Sequence, residues 1–221
     1  MLYSFKLAYE NGCNTVLSVH DIHGPRAMLF EAEGKLIFYS DDRNEWRHWL
    51  EENFRTADEM IVAFPSKDSM NKGVSYNDAV EEALCFGWID SVTGKLEGYS
   101  FTKRFTPRRE GSPYSRPNIE RLIWLDSKGM IHPDIRPEVE DLITAEFVFP
   151  EDIIDELKKN ETAWNNYQTF TEPYKRIRIA YIDAARKRPE EFRKRLDNFI
   201  SMTEKNRIIG GYGGVDKYYR L

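Results

Sequence analysis

Residues 74–91 read VSYNDAVEEALCFGWIDS, and the spacing of their apolar positions changes part-way through. Ser75 with Asp78 has the capping-box spacing, a hydroxyl at the N-cap and an acid three residues on, and it opens a helix. Val80, Ala83 and Leu84 recur at helical spacing until Gly87, a residue suited to the left-handed turn that ends a helix. Past Gly87 the period becomes two. Residues 88–92 and 99–105 are aromatic and β-branched, and Thr93-Gly94 and Glu97-Gly98 between them supply turn chemistry, so the segment predicts an antiparallel hairpin. Alternation along its second strand puts Phe101, Lys103 and Phe105 on one face and Thr102, Arg104 and Thr106 on the other.

Working outward toward the N-terminus, residues 60–64 form a short apolar run that reads as a buried strand. Trp46, Trp49, Leu50 and Phe54 make one stripe of a helix capped by Asp42 and Glu45, and residues 35–39 read as a strand. Residues 1–34 carry short β-prone runs at 15–19 and 27–31 between glycine turns. Toward the C-terminus, residues 107–113 form a basic turn-rich loop, and Pro117 opens a helix that closes near Gly129. The proline-rich stretch 133–137 marks the expected domain boundary. Helical stripes follow: Ile153, Ile154 and Leu157; Ala163, Tyr167 and Phe170; Ile177, Tyr181, Ala184 and Ala185; and Phe192, Leu196, Phe199 and Ile200 after Pro189.

These signals add up to an α+β protein, a small mostly antiparallel sheet packed by helices and followed by an all-α C-terminal segment. The expected division is an N-terminal extension at 1–34, an α+β domain at 35–132, a helical segment at 133–209 and a flexible tail at 210–221.

Composition narrows the function classes. With 221 residues, 41% of them hydrophobic, and five Trp, twelve Tyr and thirteen Phe, the chain has the aromatic surface that disordered chains lack. No apolar run approaches the roughly 18–20 residues of a membrane span, and the opening MLYSFKLAYENGCNTV does not read as a secretory leader, so the expected location is cytoplasmic. Cys13 and Cys85 are too few for a disulfide framework or a cysteine-rich zinc site. His20, Asp21 and His23 lack a helical context and a third ligand, so neither a metal nor a cofactor is assigned.

Charge is unevenly spread. Residues 134–161 hold 3 basic and 10 acidic side chains, whereas residues 174–207 hold 11 basic and 5 acidic. Blocks of opposite sign can satisfy each other when their helices pack. That reading is preferred to nucleic-acid binding through Arg186, Lys187, Arg188, Arg193, Lys194 and Arg195, because the sequence pI is about 5.5 and no nucleic-acid motif accompanies them.

The best candidate site lies on the hairpin. Arg104 and Arg108 offer guanidinium forks suited to a carboxylate or phosphate, and Thr102 adds a hydroxyl on the Arg104 face. Asp90 on the partner strand is expected to hold Arg104, and Ser115 and Asn118 to add donors from the next helix start. A structural Asp90–Arg104 ion pair beside solvated arginines is the bland alternative. Cys85, near a helix C-terminus, reads as a core cysteine rather than a nucleophile.

EEALCFGWIDS at 81–91 and KRFTPRR at 103–109 resemble the bacterial YdeI/OmpD-associated, or bacteriocin-protection, proteins. The order of segments is similar as well: EWRHWLEENF at 45–54, SPYSRPNIERLI at 112–123 and YIDAARKRPEEFRKRLDNFISM at 181–202, so the resemblance spans about residues 35–207. Tyr114 stands where that family usually has Trp, and Glu191-Phe192 replaces a common Thr-Arg pair. The resemblance implies a stress or envelope-resistance role with a small anionic ligand or a protein partner, and brings no general enzymatic activity. An enzyme with an unrecognised site and a nucleic-acid module are the alternatives, and the oligomeric state is left open.

Overall fold

A computed structural model describes residues 27–32, 34–65, 73–211 and 216–220. Cys13, the strand expected at 15–19 and the trio His20, Asp21 and His23 lie outside the described residues. The described residues divide into two compact units, those up to 112 with 130–135, and residues 113–129 with those from 136 on.

The first unit is built on a five-stranded sheet. β1 (Ala27–Ala32), β2 (Lys35–Ser40), β3 (Met60–Phe64), β4 (Trp88–Gly94) and β5 (Phe101–Pro107) are ordered β1-β2-β3-β5-β4. Among the described strands only β2 and β3 run parallel; they are joined through α1 (Arg43–Asn53), as a parallel pair requires a crossover. The other pairs are antiparallel. α1 starts where Asp42 accepts from the Asn44 amide at 2.9 Å, and α2 (Tyr76–Cys85) starts where Ser75 Oγ accepts from the Asp78 amide at 3.1 Å. Gly87 ends the turn after α2 at φ +71°, and a Cβ there would meet Ile135 at 3.1 Å, so both conformation and space call for glycine.

Register decides which side chains meet. Phe38, Trp46, Trp88 and Phe105 are buried together, with Trp46 5.2 Å from Phe38, 5.4 Å from Phe105 and stacked on Trp49 at 5.3 Å between ring centres. The Trp46 indole N–H donates to the Ala79 carbonyl at 3.0 Å, which fastens α1 to α2. The opposite face carries a second apolar cluster of Ala32, Ile37, Tyr39, Ile61 and Ala63, flanked by Met28, Phe30, Leu96 and Tyr99.

The second unit is helical: α3 (Arg116–Ser127), α4 (Arg136–Thr144), α5 (Glu151–Lys158), α6 (Glu161–Thr169), α7 (Glu172–Asp183) and α8 (Pro189–Glu204), then a 3-10 helix, Asp216–Arg220. Its core includes Ile153, Leu157, Tyr174, Ile177, Leu196 and Phe199.

The α+β class and the helical C-terminal half agree with the sequence reading, while the expected boundaries move in three places. Residues 27–32 are not part of an extension but the edge strand β1, held along six register positions with β2. Helix α3 groups with the C-terminal helices rather than with the sheet, because Trp124 packs on Tyr218 and Glu120 pairs with Arg176. The tail is not loose where it is described: Tyr218 and Tyr219 are buried in the second core, and Thr171 Oγ1 donates to the Tyr219 carbonyl at 3.2 Å. The connector expected at 133–137 runs into the start of α4, where Pro137 is the second residue and its missing amide costs no hydrogen bond.

Trp46→Ala should lower the stability of the chain by about 3–5 kcal/mol, the usual cost of removing a fully packed aromatic side chain. Urea denaturation followed by circular dichroism checks this, and a change within error would show that the Trp46 contacts do not hold the first unit.

Candidate functional site

The six residues expected to form a site separate once the register is known. Asp90 lies opposite Phe105 in the β4–β5 ladder, and directly opposed residues share a face, so Asp90 points to the side of Phe101, Lys103 and Phe105. It accepts from the Tyr76 hydroxyl at 2.8 Å and pairs with Lys103 at 3.3 Å. Arg104 lies on the other face, opposite Ile61, where its Nε donates to Glu59 at 2.5 Å. The expected Asp90–Arg104 contact, as ligand clamp or as ion pair, is therefore not made. The period of two puts neighbouring residues 103 and 104 on opposite faces. Arg104 and Glu59 are both close to half exposed, and such a surface pair contributes only about 0–1 kcal/mol.

Thr102 is buried beside Gly94, whose position a Cβ would bring to 2.5 Å from Thr102 Oγ1. Arg108 donates from Nη2 to the Ser112 carbonyl at 3.3 Å, and its amide donates to the Gly87 carbonyl at 2.9 Å. Ser115 and Asn118 belong to the second unit. Ser115 occupies the N-cap of α3 without a side-chain capping bond, and Asn118 Oδ1 accepts from Arg121 Nη1 at 2.9 Å.

The buried charges of the first unit centre on α1 and α2. Glu81 and Glu82 are buried, and Arg43 reaches Asp78 at 2.7 Å and Glu81 at 3.5 Å while its Nε donates to Glu82 at 2.7 Å. Arg47 donates to Glu82 Oε2 at 2.7 Å and to the Met130 carbonyl at 2.8 Å. Three carboxylates and two guanidiniums satisfy one another here, and breaking such a buried arrangement costs about 3–5 kcal/mol. Cys85 closes the same helix. Burial, then the charge of Glu82, push its thiol up to about 12 against the opposing pull of Arg47. A thiol held protonated at a helix C-terminus is no nucleophile.

In the second unit the acidic and basic blocks do meet. Asp152 takes two hydrogen bonds from Arg186, at 2.7 and 2.9 Å, which hold its carboxyl below the usual range, and Glu156 pairs with Arg193 at 3.6 Å. The buried Glu120 accepts from Arg116 at 2.7 Å and from both Nε and Nη2 of Arg176 at 2.6 and 2.7 Å. Much of the basic block is thus satisfied internally.

What is not satisfied lies along a cleft between α7, α8 and the glycine-rich strap that follows. A cavity of about 360 Å³ is bounded by Arg178, Tyr181 and Ile182 on α7, by Glu191, Lys194, Arg195, Asn198 and Phe199 on α8, and by residues 209–211. Arg178 donates to the Gly210 carbonyl at 3.4 Å, to the Tyr219 hydroxyl at 3.3 Å and to the Ile209 carbonyl, so it ties the strap to α7. Arg195 lies 3.8 Å from the centre of the Tyr181 ring, donates from Nε to Glu191 and from Nη1 to the Tyr181 carbonyl, each at 2.7 Å. Lys194 and Asn198 form no ion pair or hydrogen bond among the described residues. Three cationic side chains face one carboxylate around this cavity, an arrangement fit for an anion.

The sequence reading missed it. Its one legible sign is the glycine run beginning at Gly210, within the stretch expected to be a flexible tail; here Gly210 and Gly211 bring bare backbone to the cavity wall, Gly211 at φ +82° with its amide on Asp216.

Comparison with known families falls on the same half of the chain. Residues 146–206 match the family described as Bacteriocin-protection, YdeI or OmpD-Associated. That segment contains α5 to α8 and the α7–α8 walls of the cavity. Residues 38–138 match a second family, Domain of unknown function (DUF8412), and it is there that the 81–91 and 103–109 motifs lie. The expected YdeI/OmpD-associated resemblance therefore holds over the C-terminal helices, a shorter stretch than 35–207. No curated protein and no solved structure matches the chain. Among the described residues no cluster of His, Cys, Asp or Glu is arranged to hold a metal ion, and no helix is long and apolar enough to cross a membrane.

Cys85 supplies the test of this chemistry. In a Cys13→Ala chain, the native protein should not react with a disulfide reagent at pH 9.0, where the thiol of an unfolded chain is half ionised, and should react fully once denatured. The linkage has a definite sign: an unfolded thiol ionises near 9.0 and the native one only at about 12, so its contribution to stability is complete below pH 9.0 and is lost as pH rises toward 12. The stability gap between this chain and its Cys85→Ala counterpart should narrow across that window; rapid native labelling would refute the core assignment.

Proposed function

We propose that the protein binds a small anion in the α7–α8 cavity and acts in the cytoplasm, in a stress or envelope-resistance role of the kind that the description Bacteriocin-protection names. The observation that carries the reading is the cavity itself, where Lys194 and Asn198 sit one helical turn apart and make no close ion pair or hydrogen bond among the described residues, while the neighbouring Arg186 and Arg193 are paired. A preformed concave site of this size, part apolar and with a few convergent donors, is the usual form of a small-molecule site. Nucleic-acid binding needs a free basic face, and the pairing of Arg186 with Asp152 and of Arg193 with Glu156 argues against one.

Anion binding to the native state raises its stability by mass action. At a ligand concentration about ten times Kd the gain is about 1.4 kcal/mol, or a rise of about 3–6 °C in Tm for a chain of this size. Phosphate or sulfate should give such a rise over sodium chloride of equal ionic strength, and a Lys194→Ala, Asn198→Ala double variant should lose most of it. Equal melting in all salts, or salt-sensitive binding to an oligonucleotide that the double variant abolishes, would overturn the proposal.

A further inference from the structure

We infer that the segment Asp216–Arg220 is the latch of the α7–α8 cavity, with Asp216 as a positioning residue: it holds the glycine strap in place, and anion binding is thereby coupled to docking of the segment. The inference rests on the anion-binding reading above and adds how that site is regulated. The strap has little hold of its own. Gly210 and Gly211 carry no side chain, and glycine gives up more backbone freedom on ordering than any other residue, so the order of residues 209–211 has to be imposed by their neighbours. Each of those holds is visible. The Ile209 amide donates to the Tyr174 hydroxyl at 3.0 Å, and Arg178 donates to the Ile209 and Gly210 carbonyls. The Gly211 amide donates to the Asp216 carboxylate, 3.1 Å from Oδ1 and 3.2 Å from Oδ2. Gly210 lies against the same carboxylate, since a Cβ there would stand 3.2 Å from Asp216 Oδ2.

Tyr174 and Arg178 hold the 3-10 segment as well. The Tyr219 ring lies 4.8 Å from that of Tyr174, and its hydroxyl accepts from Arg178 Nη2, the same nitrogen that binds both strap carbonyls. Tyr218 packs edge-on against Trp124 at 5.7 Å, and Thr171 donates to the Tyr219 carbonyl. Strap and segment thus share two holders and are joined by Asp216, so that releasing one loosens the other. The cavity responds because Arg178 and residues 209–211 are all part of its wall. With the segment docked, two carbonyls and a hydroxyl aim the Arg178 guanidinium before an anion arrives, and preorganisation of this kind lowers the cost of binding. With it released, the wall opens to water and the pull of the cavity's cations is weakened. An anion therefore favours the docked segment, and the docked segment favours the anion by the same factor.

The sign of one substitution separates this coupling from plain electrostatics. Asp216 is exposed, and its negative charge behind the cavity wall opposes an anion, so a carboxylate that did nothing else would tighten binding when removed. In the full chain Asp216→Ala should instead weaken inorganic phosphate by about fivefold or more, the lower end of coupling between sites. Calorimetric titration at neutral pH, against sodium chloride of equal ionic strength, reads this, with circular dichroism unchanged. Asp216→Asn, whose side-chain carbonyl still accepts from the Gly211 amide, should recover most of the affinity. Hydrogen exchange over residues 207–211, followed by mass spectrometry, should slow when phosphate is added to the native chain and stay fast in Asp216→Ala. Phosphate binding as tightly to Asp216→Ala as to the native chain, or more tightly, would overturn the latch and leave the anion site standing. An Asp216→Asn chain as weak as Asp216→Ala, or exchange over 207–211 that bound phosphate leaves unchanged, would do the same. No binding of phosphate to the native chain would overturn this inference together with the anion-binding reading.

Discussion

The indole of Trp46 is the contact on which the first unit turns. Its ring meets Phe38 from β2 and Phe105 from β5 and stacks on Trp49, while its N–H reaches the Ala79 carbonyl of α2. One buried side chain thus fixes both helices against strands that are far apart in sequence. A buried tryptophan requires a partner for its N–H, and the α2 carbonyl meets that requirement without adding a further polar group. The sheet face, the helix pair and the entry to the β4–β5 hairpin all follow from that arrangement.

Around this apolar centre, charge is handled by mutual satisfaction. Arg43 and Arg47 from α1 neutralise Glu81, Glu82 and Asp78 from α2, which lets two glutamates sit in the interior at consecutive positions. The second unit uses the same device between its acidic and basic stretches, with Glu120 joining α3 to α7 and Asp152 joining α5 to the end of α7. What distinguishes the cavity is that the device thins out there: the one carboxylate on its wall, Glu191, is hydrogen-bonded to Arg195, and Lys194 makes no close ion pair among the described residues.

Much of the architecture was legible in advance, for identifiable reasons. The Asp42 and Ser75 caps, the Trp46, Trp49 and Leu50 stripe and the period change at Gly87 are local signals, each acting within a few residues, and each appears where the sequence places it. The misplaced features depend on contacts distant in sequence. α3 groups with the C-terminal helices through Trp124 and Glu120, and the 3-10 helix is held because Tyr218 and Tyr219 have a core to enter.

The candidate site makes the same division sharper. The sequence by itself determined the residue classes: an alternating strand with arginine on its polar face, an acidic block and a basic block of nearly opposite charge, and a glycine run after the last helix. It also determined that Lys103 and Arg104 must face opposite ways, since a strand alternates whatever its neighbours are. Only the tertiary structure decided which face Asp90 takes, because that depends on the one-residue choice of register that pairs it with Phe105. Only the tertiary structure decided which basic side chains stay available, because ion pairing depends on reach across a helix interface, and reach gives Arg186 the carboxylate of Asp152 while Lys194 makes no close ion pair among the described residues.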